Sequence, residues 1–323
     1  MFITPAVAGG QVFVGSCSGK LYAFADSTGD VLWTYDTSRD GPPMQFHGDP
    51  LLSDNLLVVG TDTDSIGHLY GFERSTGTVV WKHTCAGGFP SQVVSRGATA
   101  FAMTGGNEVL AVELASGKMR WRAHGPPDAQ PGFNTSDPVI SGTRLVVAWR
   151  AGWADAFDVE SGNVLWRRSL SSPVNTSVYL QADTVAVGTG DGLMHRLRLS
   201  DGVELEPVQV EGMPFGDIVS ANGFVLLLTK ANEIDYLSAW TPDFGRRMWV
   251  HQSAKPWSTF RPAVQGNSAL VGYPGRLLVV DLTGGTELGG WDVDGSPRGL
   301  ARHGSASYVG LLEGSVLRLE TSQ

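Results

Sequence analysis

Cysteine is nearly absent from this sequence: of 323 residues only Cys17 and Cys85 carry a thiol, too few for a disulfide framework. Long apolar runs are missing as well, and none approaches the ~18 residues that a membrane-spanning helix requires. Basic residues are outnumbered, with 23 Lys and Arg against 32 Asp and Glu for a net charge of −9, and they form no cluster. Binding a phosphate backbone needs the opposite sign, so nucleic acid is not an expected partner. Neither a phosphate-binding loop, nor a GxGxxG fingerprint, nor an HExxH zinc motif occurs. The N-terminal MFITPAVAGG lacks the basic and apolar regions of a secretion signal. The chain is therefore expected to be cytoplasmic if Met1 is the native start, and extracytoplasmic if a leader segment was trimmed away.

Glycine, by contrast, is abundant, with 42 residues, roughly twice average usage, and no collagen-like period accounts for it. Much of it belongs to a repeat. LYAFADSTGDVLW (21–33) returns as LYGFERSTGTVVW (69–81), VLAVELASGKMRW (109–121) and ADAFDVESGNVLW (154–166), each with Gly ninth and Trp thirteenth. MHRLRLSDGVELE (194–206), LSAWTPDFGRRMW (237–249) and LLVVDLTGGTELG (277–289) keep the glycine, and only the second keeps the tryptophan. The register glycines are Gly29, Gly77, Gly117, Gly162, Gly202, Gly245 and Gly285, recurring every 40 to 48 residues. That period suits four-stranded propeller blades.

Each copy reads as two outer strands joined by a turn in which Gly adopts positive φ. Two shorter runs lie upstream of each, as in DPLLSDNLLVVG (49–60) and DPVISGTRLVVA (137–148), often opened by a proline where a missing donor is tolerated. An eighth inner pair, SPRGLARHGSASYVG (296–310), precedes VLRLETSQ (316–323), which stops before its glycine. The expectation is an all-β chain: one domain, 1–323, forming an eight-bladed β-propeller of four-stranded antiparallel blades. The blades fall at about 4–37, 48–85, 89–124, 134–170, 171–210, 211–250, 260–292 and 295–323. The last blade lacks its outer strand. Either an N-terminal segment completes it, or its open edge accepts a strand from a partner.

Alternating LYAF or ADAF, a polar residue, TG or SG, and a Trp four residues after the Gly together resemble the PQQ-like β-propeller repeat (PQQ, pyrroloquinoline quinone). The resemblance implies that Trp33, Trp81, Trp121, Trp166 and Trp249 dock between neighbouring blades. A large ring recurring at one repeat position also reads as core from the sequence itself. The longer quinoprotein dehydrogenases of this family hold the quinone beside adjacent cysteines and a calcium set. This chain has no adjacent cysteines, and its length is similar to that of the outer-membrane assembly-factor propellers, which imply binding of partners rather than of PQQ. No cofactor and no metal site are expected.

Two local motifs fail on geometry. DTDSIGHLYGFE (62–73) matches a calcium loop in spacing, but residues 68–73 read as strand, which at ~3.3 Å per residue carries Glu73 roughly 20 Å from Asp62. GSCSG (15–19) centres Cys17 as a nucleophile elbow would, yet a strand follows it where that device needs a helix.

Turns between first and second strands, and between third and fourth, are uniformly tight and share one face. Length variation concentrates in the second-to-third loops and the blade connections on the opposite face, where function is expected, together with the central funnel. The loops there offer Phe46, His47 and Asp49, then Trp149, Arg150 and Trp153, then Trp257, Phe260 and Arg261. Aromatics with arginine suit a recognition surface. The starts of the inner strands offer Asp49, Asn134, Asn175, Asp217, Arg261 and Arg298 toward the axis. Two readings remain open. One is a non-catalytic propeller binding a protein, peptide or small polar ligand through this face. The other is an enzyme with His47 and Asp49 as acid–base groups and Arg261 or Arg298 stabilising an anion.

Overall fold

The computed structural model describes residues 3–63, 65–127, 136–170, 172–259 and 261–320. It contains eight antiparallel sheets arranged as a ring, and no α-helix among the described residues. Blade 1 sets the pattern, with strands Ala6–Ala8, Gln11–Gly15, Lys20–Ala25 and Val31–Asp36 paired in sequence order from the axis outward. Blade 2 begins with Leu51–Ser53, blade 3 with Val94–Arg96, blade 4 with Val139–Ser141 and blade 5 with Tyr179–Gln181. Blade 6 begins with the longer strand Met213–Ala221, and blade 7 with Ala263–Gln265. The eighth blade has three strands, Pro297–His303, Ala306–Leu311 and Val316–Glu320. No helix among the described residues is long and apolar enough to cross a membrane.

The outer hairpins form as their turns dictate. Around Gly29, the Ala25 amide donates to the Asp30 carbonyl and the Gly29 amide to the Ala25 carbonyl, both at 2.8 Å, while Gly29 holds φ +76°. That left-handed step is open to glycine and strained for a residue with a Cβ. All seven register glycines lie between the third and fourth strands of their blades.

The core lies between blades. Second strands such as Thr99–Met103 are buried along their whole length because both sheet faces are covered by neighbouring blades. Phe13 and Leu21 of blade 1 pack with Leu57 and Tyr70 of blade 2, and Val12 and Val14 pack on the other side with Ala306 and Tyr308 of blade 8. The second contact closes the ring.

Tryptophan marks five of the eight seams. Its indole Nε1–H donates to a carbonyl of the next blade: Trp33 to Arg74 at 2.9 Å, Trp81 to Leu114 at 2.7 Å, Trp121 to Val159 at 2.9 Å, Trp166 to Leu199 at 2.9 Å and Trp249 to Leu282 at 2.7 Å. Three residues beyond each acceptor lies that blade's register glycine, directly beneath the indole. A Cβ on Gly77, Gly117, Gly162, Gly202 or Gly285 would lie 2.4 to 2.7 Å from the nearest ring carbon. The seam between blades 5 and 6 has Glu206 in place of the tryptophan, and there Phe244 rather than Gly245 takes the positive φ and is buried against Tyr179 and Trp240. At Gly29 a Cβ would meet nothing within 4 Å. Blade 8 reaches blade 1 instead through Asp26, which accepts from the Tyr308 hydroxyl and, at 3.1 Å, from Arg318 Nε.

Candidate functional site

The residue just before each inner strand enters the ring at the axis, on the face of the variable connections. In several blades a proline fixes the chain here: Thr4-Pro5, Asp49-Pro50, Asp137-Pro138 and Arg261-Pro262. Side chains in this slot hold backbone groups of adjacent blades. Asp49 Oδ1 accepts from the Thr4 amide at 2.7 Å, Asp137 Oδ1 from the Gln92 amide at 2.8 Å, and Ser177 Oγ from the Ile218 amide at 3.0 Å.

Arg261 crosses the axis from blade 7. Its Nη1 lies 3.1 Å from Asp49 Oδ2, 3.5 Å from Asp217 Oδ2 and 3.8 Å from Asp137 Oδ2, and it donates to Gln92 Oε1 at 3.4 Å. Three carboxylates from blades 2, 4 and 6 thus face one guanidinium. Burial, with the charges of Asp217 and Asp49, holds the Asp137 carboxyl well above the usual range. Burial likewise pushes Asp217 up to about 6 against the pull of Arg261. Burial alone would ease the proton off Arg261, but the surrounding carboxylates outweigh it and keep the guanidinium charged.

Above this cluster lies a cavity of about 840 Å³. Of the residues singled out from sequence, His47, Asp49, Arg150, Asn175, Asp217, Arg261 and Arg298 line it. Arg150 is exposed and Arg298 half-buried, and burial lowers the pKa of Arg298. Met213 and Phe215, from the long inner strand of blade 6, add apolar wall.

Among the described residues the expected aromatic surface does not form, because the loops fold back and bury Phe46, Trp149 and Trp257. Phe46 has no exposed surface and sits against Gly15 between blades 1 and 2. Trp149 is fully buried and donates to Asp155 Oδ2 at 2.9 Å, and that carboxylate also pairs with Arg167 at 2.8 Å. Trp257 is buried beside Tyr273 and His251, and half-buried Trp153 packs on the core of blades 3 and 4. Asn134, Phe260 and Asp64 lie outside the described residues.

The acid–base pairing of His47 with Asp49 is replaced by another arrangement. His47 Nδ1 lies 2.7 and 2.9 Å from the two oxygens of Asp62, a buried carboxylate, while Asp49 is committed to Thr4 and Arg261. Asp62, Asp137 and Gln92 were missed. Asp137-Pro138 repeats Asp49-Pro50, so that signal was present in the sequence, whereas Asp62 stands out only as the head of a false calcium loop and nothing local marks Gln92.

The residues do not fit pyrroloquinoline quinone as its dehydrogenases hold it. Cys17 is half-buried in blade 1, Cys85 is buried in the core of blades 2 and 3, and neither lines the cavity. No chemistry through the quinone follows.

A family model described as outer membrane protein assembly factor BamB matches residues 2–150, 43–185 and 150–307. A BamB of Burkholderia pseudomallei is 26% identical over 242 residues, which is 70% of this chain and 61% of that protein. One of Xanthomonas campestris is 36% identical over 108 residues, or 33% of this chain and 25% of the relative. The matches thus span less than two thirds of these relatives. Among solved structures, BamB from Moraxella catarrhalis aligns with a TM-score of 0.79 at 14% identity, covering 99% of this chain and 96% of its own. Quinohemoprotein alcohol dehydrogenase from Comamonas testosteroni aligns at 0.71, also at 14% identity, covering 96% and 70%. At such identities the structural likeness speaks to the fold alone. The family model, spanning nearly the whole length of an eight-bladed ring with tryptophan-sealed seams, identifies the chain as a PQQ-like β-propeller belonging to the BamB family.

Proposed function

We propose that the chain is a non-catalytic propeller that holds a protein or peptide partner at its funnel face, in keeping with the assembly-factor name of its relatives. The observation that carries this reading is the state of the charged and hydroxyl groups in the cavity wall. Arg261 and the axial carboxylates are spent on one another, His47 on Asp62, and the Thr176 and Ser177 hydroxyl oxygens on the Gly188 and Ile218 amides. A nucleophile poised beside a free base is the signature of acyl-transfer chemistry; where a hydroxyl does meet a carboxylate here, Ser177 on Asp217, that carboxylate also faces Arg261 and the Ser177 oxygen also accepts from the Ile218 amide. What the cavity offers instead is its size and an exposed apolar lip at Met213.

The test is site-specific crosslinking in the native bacterium. A photo-reactive residue at Arg150 or Met213, both exposed at the funnel, is compared with one at Asp54 or Asn222, both exposed in first-to-second strand turns of the other face. The funnel positions should give one and the same identified protein adduct and the turn positions none. Equal adducts from both faces, or none from the funnel, would overturn the reading.

A further inference from the structure

We infer that the rim of blade 8 takes up one extended segment of a partner protein, which pairs as an antiparallel fourth strand with Val316–Glu320 and lays an aromatic side chain over Tyr22 and Phe24 of blade 1. This goes beyond the funnel reading and does not rest on it. Two independent observations carry it, one of backbone and one of side chains. Val316–Glu320 is paired on one side only, with Ala306–Leu311, whereas the third strand of each of the other seven blades is paired on both. An edge of that kind presents amides and carbonyls that an added strand satisfies.

The second observation lies across the seam. Third strands turn alternate side chains toward the preceding blade, and in blades 2 to 7 these are buried, from Tyr70 and Phe72 in blade 2 to Leu278 and Val280 in blade 7. In blade 1 the matching Tyr22 and Phe24, stacked with ring centroids 5.7 Å apart, are only half-buried. LYAF of blade 1 and LYGF of blade 2 differ in one residue, so the sequence is not the cause. The cover is. Tyr35, on the fourth strand of blade 1, has its ring 5.5 Å from that of Tyr70 and 4.9 Å from that of Phe72, and among the described residues blade 8 has no fourth strand to do the same for Tyr22 and Phe24.

The complete blades also set the register. Tyr35 stands opposite Leu21, the position that Val316 holds in blade 8, so the aromatic residue of the incoming strand falls opposite Val316. Two residues before it comes the place where five blades carry tryptophan, always opposite alanine or glycine, as Trp33 is opposite Ala23 and Trp81 opposite Gly71. A Cβ on Gly71 would lie 2.2 Å from the Trp81 ring. Arg318 fills that space in blade 8, so the residue facing it is small rather than an indole. The segment recognised is therefore extended, with a small residue and an aromatic one two positions later. The open edge of a second copy does not answer to this, since Val316–Glu320 has no aromatic residue.

Two measurements on the full chain test this. In the first, amide hydrogen exchange is followed while a blocked octapeptide is added, Asp-Val-Leu-Ser-Thr-Tyr-Asp-Thr, which is the chain's own stretch 30–37 with serine in place of its tryptophan. Amides of Val316–Glu320 should gain saturable protection. Replacing the peptide's tyrosine by serine, or N-methylating the amides that face the edge, should each weaken binding about tenfold, and Tyr22→Ser in the protein should weaken it about fivefold. In the second, a photo-reactive residue at Tyr22 or Glu320 in the native bacterium should capture one identified partner protein, and one at Leu288, an exposed rim position on a complete blade, should not. An N-methylated peptide that protects as well as its parent overturns strand pairing. Equal binding of the serine peptide, or by Tyr22→Ser, overturns the aromatic seat, and absence of saturable protection overturns both. Adducts confined to the same chain or to a second copy overturn the partner as the source of the strand.

Discussion

Gly117 has no room for a methyl group, since a Cβ there would lie 2.4 Å from Trp81 Cγ, whereas at Gly29, with nearly the same left-handed backbone, nothing lies within 4 Å. The two positions separate backbone strain from the indole contact. Alanine at either adopts an unfavourable φ, at about 1–2 kcal/mol, but only at Gly117 must it also displace a ring, adding about 1–3 kcal/mol. Gly117→Ala should therefore destabilise clearly more than Gly29→Ala in urea denaturation. Equal losses would mean that the indole yields freely. These residues were legible in the sequence because seven repeats superimpose their functions. Asp137 was legible in principle, as a second Asp-Pro in the same slot as Asp49-Pro50, although Asn134 three residues earlier competes for attention. The ion pair of Arg261 with Asp49 was not legible, because 212 residues separate the partners and only closure of the ring brings them together.

The connection from blade 1 to blade 2 shows how an element lacking a repeat pattern is fixed. A single 3-10 turn, Thr37–Arg39, is capped by the Asp36 side chain, which accepts from the Ser38 amide, and it delivers Asp40 to a junction of three groups. The carboxylate of Asp40 accepts from the Tyr35 hydroxyl, from the Tyr70 hydroxyl at 2.8 Å and from Lys82 Nζ at 2.5 Å. Burial alone would raise its pKa, but the Lys82 ammonium and the two hydroxyls outweigh that and hold it at about 2, below the ordinary 3.8. A depressed folded-state value contributes stability that is full above about pH 4 and is lost as pH falls toward 2, worth about 2 kcal/mol. Urea midpoints at pH 5 and pH 2.5 should show Asp40→Asn less stable than the parent at pH 5, with the deficit cut to about a third at pH 2.5. A deficit that is the same at both values would remove the carboxylate charge from the account. The sequence marked this segment as a long connection with aromatics. Burial of Phe46 with Leu57 and Tyr70 of blade 2, and of Trp149 with Phe101 and Met103 of blade 3, depends on contacts across blades that no local pattern encodes.

The eight-bladed ring was legible because its period, its turn glycines and its strand alternation all agree. The side of the long connections was legible as a side, since tight turns exhaust the other one; the charges that meet across the axis were not, because their partners lie in different blades. The seams carry a further consequence, which concerns the order of assembly. Each indole is handed forward, from blade 1 to 2, 2 to 3, 3 to 4, 4 to 5 and 6 to 7, and none is handed back. A blade emerging from the ribosome thus leaves its tryptophan unseated until its successor arrives, and each arrival completes the blade before it. Such contacts close loops of 33 to 41 residues, at modest entropic cost. Contact between blades 8 and 1, sealed by Tyr308 and Arg318 on Asp26 across 282 and 292 positions, must wait for the whole chain and closes the longest loop. Pulse-labelled hydrogen exchange during refolding should find amides of the seams between blades 1 and 4 protected before those where blade 8 meets blade 1. Vectorial growth, with a single late clasp, is built into the direction in which the rings point.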